Sequence, residues 1–167
     1  MNLERKILGK KCSQIKLVIT DVDGVLTDGG MYYSKNGEIL KKFNTRDGMA
    51  VELLRNNKIP VVIITGEKSQ IVLSRAKKLL IKDVFIGIKK KELLLPKICK
   101  KYKIKEDNVA YIGDDINDLK ILQQVGFSAS PKDGMSVIKK KSNYVCKVKG
   151  GEGVLREVAD MIISFKE

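Results

Sequence analysis

The stretch Lys16–Gly29, KLVITDVDGVLTDG, is the most informative part of the sequence, because an apolar run in it is followed directly by a pair of carboxylates. The apolar run predicts a short buried strand over Ile15–Thr20. Asp21 and Asp23 follow, and Gly24 permits a sharp turn that aims both carboxylates at one site. One carboxylate could attack a phosphorus atom, and the other could transfer protons.

Further apolar runs alternate with amphipathic stretches along the chain. The apolar runs predict strands at Val61–Thr65, Val84–Ile86 and Val109–Ile112. The amphipathic stretches predict helices at Gly48–Asn57, Ser69–Leu80, Lys89–Tyr102, Ile116–Val125 and Gly153–Phe165. Pro96 is expected to kink or shorten the third of these helices. The alternation predicts a single α/β domain over residues 1–167, with a Rossmann-like parallel sheet and helices on both faces.

One segment, just after the first strand, departs from this alternation of strands and helices. Apolar stretches on either side of Lys35–Glu38 predict a β-hairpin over residues 31–43 that protrudes from the sheet. The pair Asn36-Gly37 favours a type I′ turn, in which both residues take positive φ. The interval from Asp23 to Thr65 is too short to hold this hairpin and a separate cap domain.

Composition removes several classes of chemistry. The chain has no histidine and three widely spaced cysteines, which excludes triads with a histidine base and histidine-bound zinc and favours buried, reduced thiols. A net charge of +13 with no tryptophan and only 5% aromatic residues favours a lysine-rich solvated surface over a nucleic-acid platform. No apolar run approaches the ~20 residues of a membrane span, so we expect a cytoplasmic protein without nucleic-acid or membrane partners.

A second acidic cluster, GDDIND at residues 113–118, ends the strand Val109–Ile112. Several like charges at one buried strand end are costly unless a cation shares them. Oxygen ligands without histidine or cysteine favour Mg²⁺. A calcium-binding EF-hand loop starting at Asp21 is excluded, since the required glycine and glutamate are Leu26 and Tyr32.

Two further features could hold a phosphate group. The strand Val61–Thr65 ends in a hydroxyl followed by Gly66, so the hydroxyl and nearby N–H groups could bind phosphate oxygens. Lys91, near the start of a predicted helix, could neutralise the phosphate charge. Lys89 and Lys90 compete with it for this role.

In order along the chain, four features resemble the motifs of the haloacid dehalogenase superfamily. They are DVDGVLTDG at 21–29, VVIITG at 61–66, Lys91, and GDDIND at 113–118. Within that superfamily, four longer segments resemble phosphatases of 3-deoxy-D-manno-octulosonate (KDO) 8-phosphate and of nine-carbon 2-keto-3-deoxy sugar acid phosphates. They are DVDGVLTDGGMYY at 21–33, KKFNTRDG at 41–48, TGEKSQIVLSRAKKL at 65–79 and GGEGVLREV at 150–158.

The resemblance implies a Mg²⁺-dependent phosphatase of surface-sugar biosynthesis that forms an aspartyl-phosphate intermediate. Asp21 would be the nucleophile and Asp23 the general acid and base. Thr65 and Lys91 would hold the phosphoryl group. A dehalogenase would lack the second acid, Asp23, so that branch of the superfamily is disfavoured.

The resemblance also implies a metal site. Mg²⁺ would be bound by Asp21, by the backbone carbonyl of Asp23 and by Asp114. Asp115 and Asp118 would not bind the metal directly but would support the residues that do.

The resemblance further implies which residues face the sugar acid. They are Asn44, Thr45, Arg46, Asp47, Gly48, Gly66, Glu67, Arg75 and Lys78. The eight-carbon enzymes carry arginines at the positions of Glu52 and Glu67, whereas relatives that act on nine-carbon acids are more similar at Glu67, Arg75 and Lys78. The substrate is therefore left open between KDO 8-phosphate and a nonulosonate 9-phosphate such as KDN 9-phosphate.

Finally, the resemblance implies a homotetramer in which the hairpin at 31–43 covers a neighbour's active site. The alternative is a hairpin that folds back on its own sheet. Two other classes of function also stay open: a non-catalytic sugar-phosphate-binding or regulatory domain on the same fold, and a nucleic-acid-binding role for the basic surface.

Overall fold

The computed structural model describes residues 3–166, and within them strands and helices alternate. The strands are β1 (Leu17–Thr20), β2 (Tyr32–Ser34), β3 (Gly37–Leu40), β4 (Val61–Ile64), β5 (Asp83–Phe85), β6 (Val109–Ile112), β7 (Phe127–Ser130) and β8 (Tyr144–Val145). The α-helices are α1 (Leu3–Ser13), α2 (Thr45–Asn56), α3 (Gln70–Lys78), α4 (Leu95–Tyr102), α5 (Leu119–Leu122), α6 (Ser136–Lys141) and α7 (Val154–Ser164). Short 3₁₀ turns lie at Lys91–Leu94, Glu106–Asn108 and Ile116–Asp118.

Six strands form one parallel sheet in the order β5-β4-β1-β6-β7-β8. The central strand, β1, pairs with β4 on one side and with β6 on the other. The chain builds the sheet outward from β1 in one direction and then from β6 in the other. The strand order therefore reverses between β1 and β6, which is where ligands bind in sheets of this kind. The predicted α/β fold is confirmed.

Apolar side chains of the strands point alternately to the two faces of the sheet and form two cores. Val18 lies in the core that α2 and α7 cover with residues such as Leu54 and Leu155. Ile19 lies in the opposite core, which α4 covers with residues such as Ile98. Because both faces are buried, the strands need the continuous apolar runs that the sequence shows.

Two predicted helices are shorter than their amphipathic patterns suggested. Of the stretch Lys89–Tyr102, only the part from Leu95 onward is α-helical. Pro96 lies in the first turn of α4, where its missing N–H removes no helical hydrogen bond. The stretch Ile116–Val125 forms a 3₁₀ turn and then the single turn of α5, which ends at Leu122.

Sequence patterns did not indicate α1, β7, α6 and β8. The clearest reason is visible in β7, whose sequence FSAS lacks a continuous apolar run although all four residues are buried. Ser128 donates its backbone N–H to the side-chain oxygen of Asn143, at 3.0 Å. Its hydroxyl also accepts from the backbone N–H of Asn143, at 3.1 Å. These bonds satisfy the polar groups that burial would otherwise leave unpaired.

The predicted hairpin is present as β2 and β3, which form a separate two-stranded antiparallel sheet. The predicted type I′ turn centred on Asn36 and Gly37 is wrong. Ser34 pairs with Gly37, so the connecting residues are Lys35 and Asn36. Only Gly37, with φ of 109°, takes positive φ in this turn. Glycine adopts that conformation without the steric penalty that asparagine would incur.

Across residues 3–166, no helix combines the length and the apolar character needed to cross a bilayer. Cys12, Cys99 and Cys146 are buried free thiols, as the spacing predicted. Burial raises the pKa of the Cys12 thiol to about 11, which keeps it protonated and unreactive near neutral pH.

Candidate active site

The site begins where β1 ends. The Asp21 backbone N–H donates to the carbonyl oxygen of Ile112 at 2.9 Å, which continues the pairing between β1 and β6 by one residue. One Asp21 side-chain oxygen accepts from the Val22 N–H at 2.7 Å. Gly24 then takes φ of 82°, and a Cβ atom at this position would collide with the carboxylate of Asp114. Glycine is therefore required here both for its backbone angle and for the close approach of the second acidic loop.

Asp21, Asp114 and Asp118 form a tight acidic cluster, in which one carboxylate oxygen from each lies within 4.8 Å of the others. Burial, together with the charge of Asp118, raises the pKa of Asp21 to about 7. Burial and the charges of Asp21 and Asp118 raise the pKa of Asp114 to about 8. Full ionisation of an acidic cluster this tight is therefore unfavourable near neutral pH unless cations bind to it.

Lys91 is the lysine that reaches this cluster. Its ammonium nitrogen lies 2.9 Å from Oδ2 of Asp21 and 2.6 Å from Oδ1 of Asp118, and its side chain is completely buried. Burial acts to lower the pKa of Lys91, but the charges of Asp21 and Asp118 raise it above the ordinary lysine value. Lys89 and Lys90 are exposed. Of the three lysines, Lys91 is therefore the one that contacts the acidic cluster.

Asp118 differs from its neighbours because donors surround both of its oxygens. Its Oδ1 accepts from Lys91 and, at 2.5 Å, from the hydroxyl of Tyr111. Its Oδ2 accepts from the backbone N–H groups of Asp114 at 3.0 Å and Asp115 at 3.3 Å. Asp118 therefore fixes the acidic loop and Lys91.

Asp115 is exposed and caps the 3₁₀ turn that follows it. Its Oδ1 accepts from the N–H of Ile116 at 2.6 Å. The Asp115 side chain borders the site without belonging to the tight acidic cluster.

The donor set fits a hard divalent cation. Asp21 and Asp114 offer carboxylate oxygens, and burial together with the neighbouring carboxylates raises the pKa of both acids. Mg²⁺ prefers such oxygen ligands and usually keeps several waters. The groups that would hold it are Asp21, Asp114 and the backbone carbonyl of Asp23.

Asp23 is held by Lys41, which begins the segment KKFNTRDG but for which the sequence predicted no role. Its Oδ1 accepts from the ammonium group of Lys41 at 2.6 Å and from the Thr27 hydroxyl at 3.4 Å. Its Oδ2 is buried and has no hydrogen-bond partner among residues 3–166. Lys41 also lies 2.7 Å from Glu38. Burial acts to lower the pKa of Lys41, but hydrogen bonds to Asp23 and Glu38 raise it above the ordinary value.

A cavity of about 310 Å³ connects these loops at the carboxyl ends of the strands. Its lining combines predicted residues with Gly29, Ile116 and Asn117, which the motifs did not single out. Thr65 lies in it directly after β4, and its hydroxyl accepts from the N–H of Glu67 at 3.3 Å. The full lining is Asp21, Asp23, Gly24, Gly29, Thr65, Gly66, Glu67, Asp114, Asp115, Ile116 and Asn117.

The other predicted sugar-binding residues do not line this cavity. Asn44 caps α2 by accepting from the N–H of Arg46 at 2.9 Å. Asp47 is buried and accepts from the N–H of Arg156 at 3.1 Å. Arg75 donates to the carbonyl oxygen of Asn44 at 3.1 Å and lies over the ring of Phe43.

The remaining members of that set lie on the same part of the surface. Gly48 packs against the Arg75 guanidinium, and Thr45 and Lys78 are exposed. The structure therefore divides the predicted substrate residues into two groups. Gly66 and Glu67 lie at the acidic cavity, and the others form a second group around the start of α2 and along α3.

The sheet is doubly wound and parallel, paired aspartates follow its central strand, and a buried lysine contacts the first of them. These features together define a hydrolase of the haloacid dehalogenase-like type. The family of haloacid dehalogenase-like hydrolases matches residues 83–158. The chain is also 39% identical over 153 residues to 3-deoxy-D-manno-octulosonate 8-phosphate phosphatase KdsC of Escherichia coli K12, covering 92% of this chain and 81% of that protein. The chain belongs to this phosphatase family within the superfamily, and it is a phosphoric monoester hydrolase.

Solved structures agree with this assignment. The 3-deoxy-D-manno-octulosonate 8-phosphate phosphatase of Yersinia pestis matches with a TM-score of 0.93 and 36% identity, over 96% of this chain and 86% of that one. The enzyme of the same name from Moraxella catarrhalis, solved with a magnesium ion, a phosphate ion and a KDO molecule, matches with a TM-score of 0.91 and 37% identity. That match covers 95% of this chain and 91% of the other.

Proposed function

We propose that this chain hydrolyses the terminal phosphomonoester of a 2-keto-3-deoxy sugar acid in a Mg²⁺-dependent reaction. The substrate would be KDO 8-phosphate or a nonulosonate 9-phosphate such as KDN 9-phosphate. The observation that carries the proposal is the buried ion pair of Lys91 with Asp21, the residue of the pair that lines the acidic cavity. The magnesium, phosphate and KDO bound by the Moraxella catarrhalis relative support the choice of metal and substrate class.

The first step transfers the phosphoryl group to the enzyme. A carboxylate oxygen of Asp21 attacks phosphorus, and the bond from phosphorus to the sugar oxygen breaks. The carboxyl proton of Asp23 passes to that leaving oxygen. The Lys91 ammonium and the Thr65 hydroxyl hold the phosphoryl oxygens. The charge of Lys91 also opposes the rise in the pKa of Asp21 that burial causes, which favours the nucleophilic form of Asp21.

The second step releases inorganic phosphate. The Asp23 carboxylate removes a proton from water, and the water oxygen attacks phosphorus. The bond between Asp21 and phosphorus breaks, which restores the Asp21 carboxylate and leaves the proton on Asp23. When bound, Mg²⁺ supplies the positive charge that lets an anionic carboxylate approach an anionic phosphate ester.

The test is a phosphate-release screen with KDO 8-phosphate, KDN 9-phosphate and glucose 6-phosphate, with and without Mg²⁺. We expect a higher kcat/KM for the keto-sugar acid esters. We also expect a modest preference for nine carbons, because Glu67, at which the sequence resembles the nine-carbon relatives, lies at the cavity. Asp21→Asn should abolish turnover, since an amide is not a nucleophile, and chelation should do the same. Near-normal turnover by Asp21→Asn would contradict the mechanism, and equal kcat/KM for glucose 6-phosphate would contradict the substrate class.

A further inference from the structure

The hairpin sends one charged side chain back into the site. Lys41 follows β3, and its side chain has no exposed surface although it ends in an ammonium group. That group lies 2.6 Å from Oδ1 of Asp23 and 2.7 Å from Oε1 of Glu38. Its neighbour Lys42 is 70% exposed and lies 3.6 Å from Asp28. Two adjacent lysines therefore occupy opposite environments, and only the first reaches the site.

Lys41 is itself held in place by Glu38, which is bonded to the loop between β4 and α3. Oε2 of Glu38 accepts from the hydroxyl of Ser69 at 2.5 Å. Ser69 is buried and immediately precedes α3, in the loop that also carries Thr65. A continuous series of hydrogen bonds thus runs from that loop through Glu38 and Lys41 to Asp23.

We infer that Lys41 is a positioning residue for Asp23, an inference that rests on the proposed function. By occupying Oδ1 of Asp23, Lys41 fixes the plane of the carboxyl group and reserves Oδ2 to carry the transferred proton. Oδ2 is the oxygen that has no partner in the part of the chain that the structure describes. Glu38 and Ser69 prevent Lys41 from following Asp23 if that side chain rotates.

A purely stabilising role accounts poorly for this arrangement. A buried ion pair is weak support for stability, because desolvation offsets much of its attraction. The exposed end of the hairpin needs no such anchor to form its turn. A lysine that orients an acid, in contrast, must be desolvated and held from a second direction, as Lys41 is.

The inference predicts a chemical signature. An alkyl ester such as a sugar phosphate needs Asp23 in both steps, because its leaving oxygen is strongly basic. An aryl ester such as p-nitrophenyl phosphate leaves without a proton, so only its second step needs Asp23. Loss of Asp23 positioning should therefore spare the first step with the aryl ester and slow the second.

The experiment compares Lys41→Met with Lys42→Met as the matched control. We expect Lys41→Met to lower kcat for the sugar acid phosphate by roughly 10- to 100-fold, the scale of a misplaced catalytic group. With p-nitrophenyl phosphate it should release a burst of about one nitrophenol per site, followed by slow turnover. Lys42→Met should behave as wild type. Combined with Asp23→Asn, Lys41→Met should add no further loss, because both changes act through one group.

Folding and function are separated by a second variant. Lys41→Met combined with Glu38→Gln removes a buried cation together with its partly exposed anionic partner, and the melting temperature of this variant reports whether the fold is kept. The same burst in this double variant supports positioning. The inference would be overturned if Lys41→Met lowered the activity toward both substrates by the same factor and gave no burst. It would also be overturned if the losses of activity in Lys41→Met and Asp23→Asn multiplied, or if Lys41→Met had the same kinetics as Lys42→Met. Failure of the proposed function appears separately, as inactivity of the wild type or activity of Asp21→Asn, both of which keep Lys41.

Discussion

At the scale of single residues, Asp118 shows how a buried acid can organise a site without reacting. It binds the Lys91 ammonium, the Tyr111 hydroxyl and two backbone N–H groups at once. A carboxylate with so many donors is not easily replaced, because each oxygen must accept. The acidic loop and Lys91 therefore depend on one side chain.

We predict that Asp118→Asn lowers the free energy of unfolding by about 3 kcal/mol, as expected when one partner of a buried ion pair is removed. The amide would place its N–H groups either against the Lys91 ammonium or against the backbone N–H groups of Asp114 and Asp115, which can only donate. Urea unfolding followed by circular dichroism measures the change. Asp115→Asn is the control, because asparagine caps a helical turn about as well as aspartate. Equal stability of the two variants would contradict this role.

Asp21 and Asp114 make metal binding depend on pH. With pKa values of about 7 and about 8, both acids are mostly protonated at pH 6. Mg²⁺ must displace these protons, so its affinity should rise as pH increases to about 8 and then level off. Calorimetric titration with MgCl₂ at pH 6 and pH 8.5, in buffers of different ionisation enthalpy, should detect proton release mainly at pH 6. Affinity that is constant or falls over this range would contradict the cluster as the metal site.

Sequence patterns could predict the reactive residues better than the residues that hold them. Asp21, Asp114 and Thr65 follow apolar strands, so their position at the carboxyl ends could be inferred from the alternation alone. Lys41 could not, because it is one of 33 basic residues and its partner Asp23 is distant in sequence. The only local sign is Glu38 three residues earlier, a spacing that also occurs on exposed surfaces.

At the scale of elements, α7 illustrates a helix start that is capped from another part of the chain. Gly153 precedes α7 with φ of 104° and offers no side chain to the first turn. Asp47 of α2 fills this role by accepting from the N–H of Arg156. The second oxygen of Asp47 is buried without a partner within residues 3–166. Burial is the main cause that raises the pKa of Asp47 to about 6.

This raised pKa gives Asp47→Asn a defined pH dependence. The folded chain binds the Asp47 proton more tightly than the unfolded chain, whose pKa is near 3.8. Ionisation of Asp47 therefore destabilises the fold progressively from about pH 4 to pH 6 and fully above that. We predict that stability of Asp47→Asn relative to wild type improves as pH rises from 4 to 7, by at most about 3 kcal/mol. Urea unfolding at both pH values checks this, and a constant difference would contradict it.

Elements with a strong pattern could be predicted, and those stabilised by tertiary contacts could not. The core strand β1 needs only its apolar run. The buried strand β7 depends on the Asn143 side chain, which no local pattern indicates. The hairpin follows from its apolar flanks, but its turn at Lys35 and Asn36 does not, because Gly37 supplies the single positive φ that the turn requires.

At the scale of the whole molecule, two features have no explanation within a single chain: the exposed apolar hairpin, and the predicted substrate residues that lie outside the acidic cavity. Met31, Tyr33 and Ile39 leave 48%, 59% and 56% of their surfaces exposed on the hairpin. An isolated two-stranded hairpin rarely presents so much apolar surface to water. Arg75 and Lys78 belong to α3 and do not line the acidic cavity of their own chain. Both observations are explained together if neighbouring subunits complete each other's sites.

We propose a homotetramer in which each hairpin covers the active site of a neighbour and shields its phosphoaspartate from bulk water. In a closed symmetric assembly, one hairpin sequence supplies a lid for every site. Changing Tyr33 and Ile39 together to serine should therefore lower the sedimentation coefficient and reduce selectivity for sugar acid esters in parallel. Hydrolysis of p-nitrophenyl phosphate should persist, because Glu38 and Lys41 remain.

Leu80→Ser is the matched control, since Leu80 is 69% exposed just before β5, at the opposite end of the sheet. A wild-type chain that sediments as a fully active monomer at assay concentration would refute the tetramer. A double variant that becomes monomeric with unchanged selectivity would refute the shared lid.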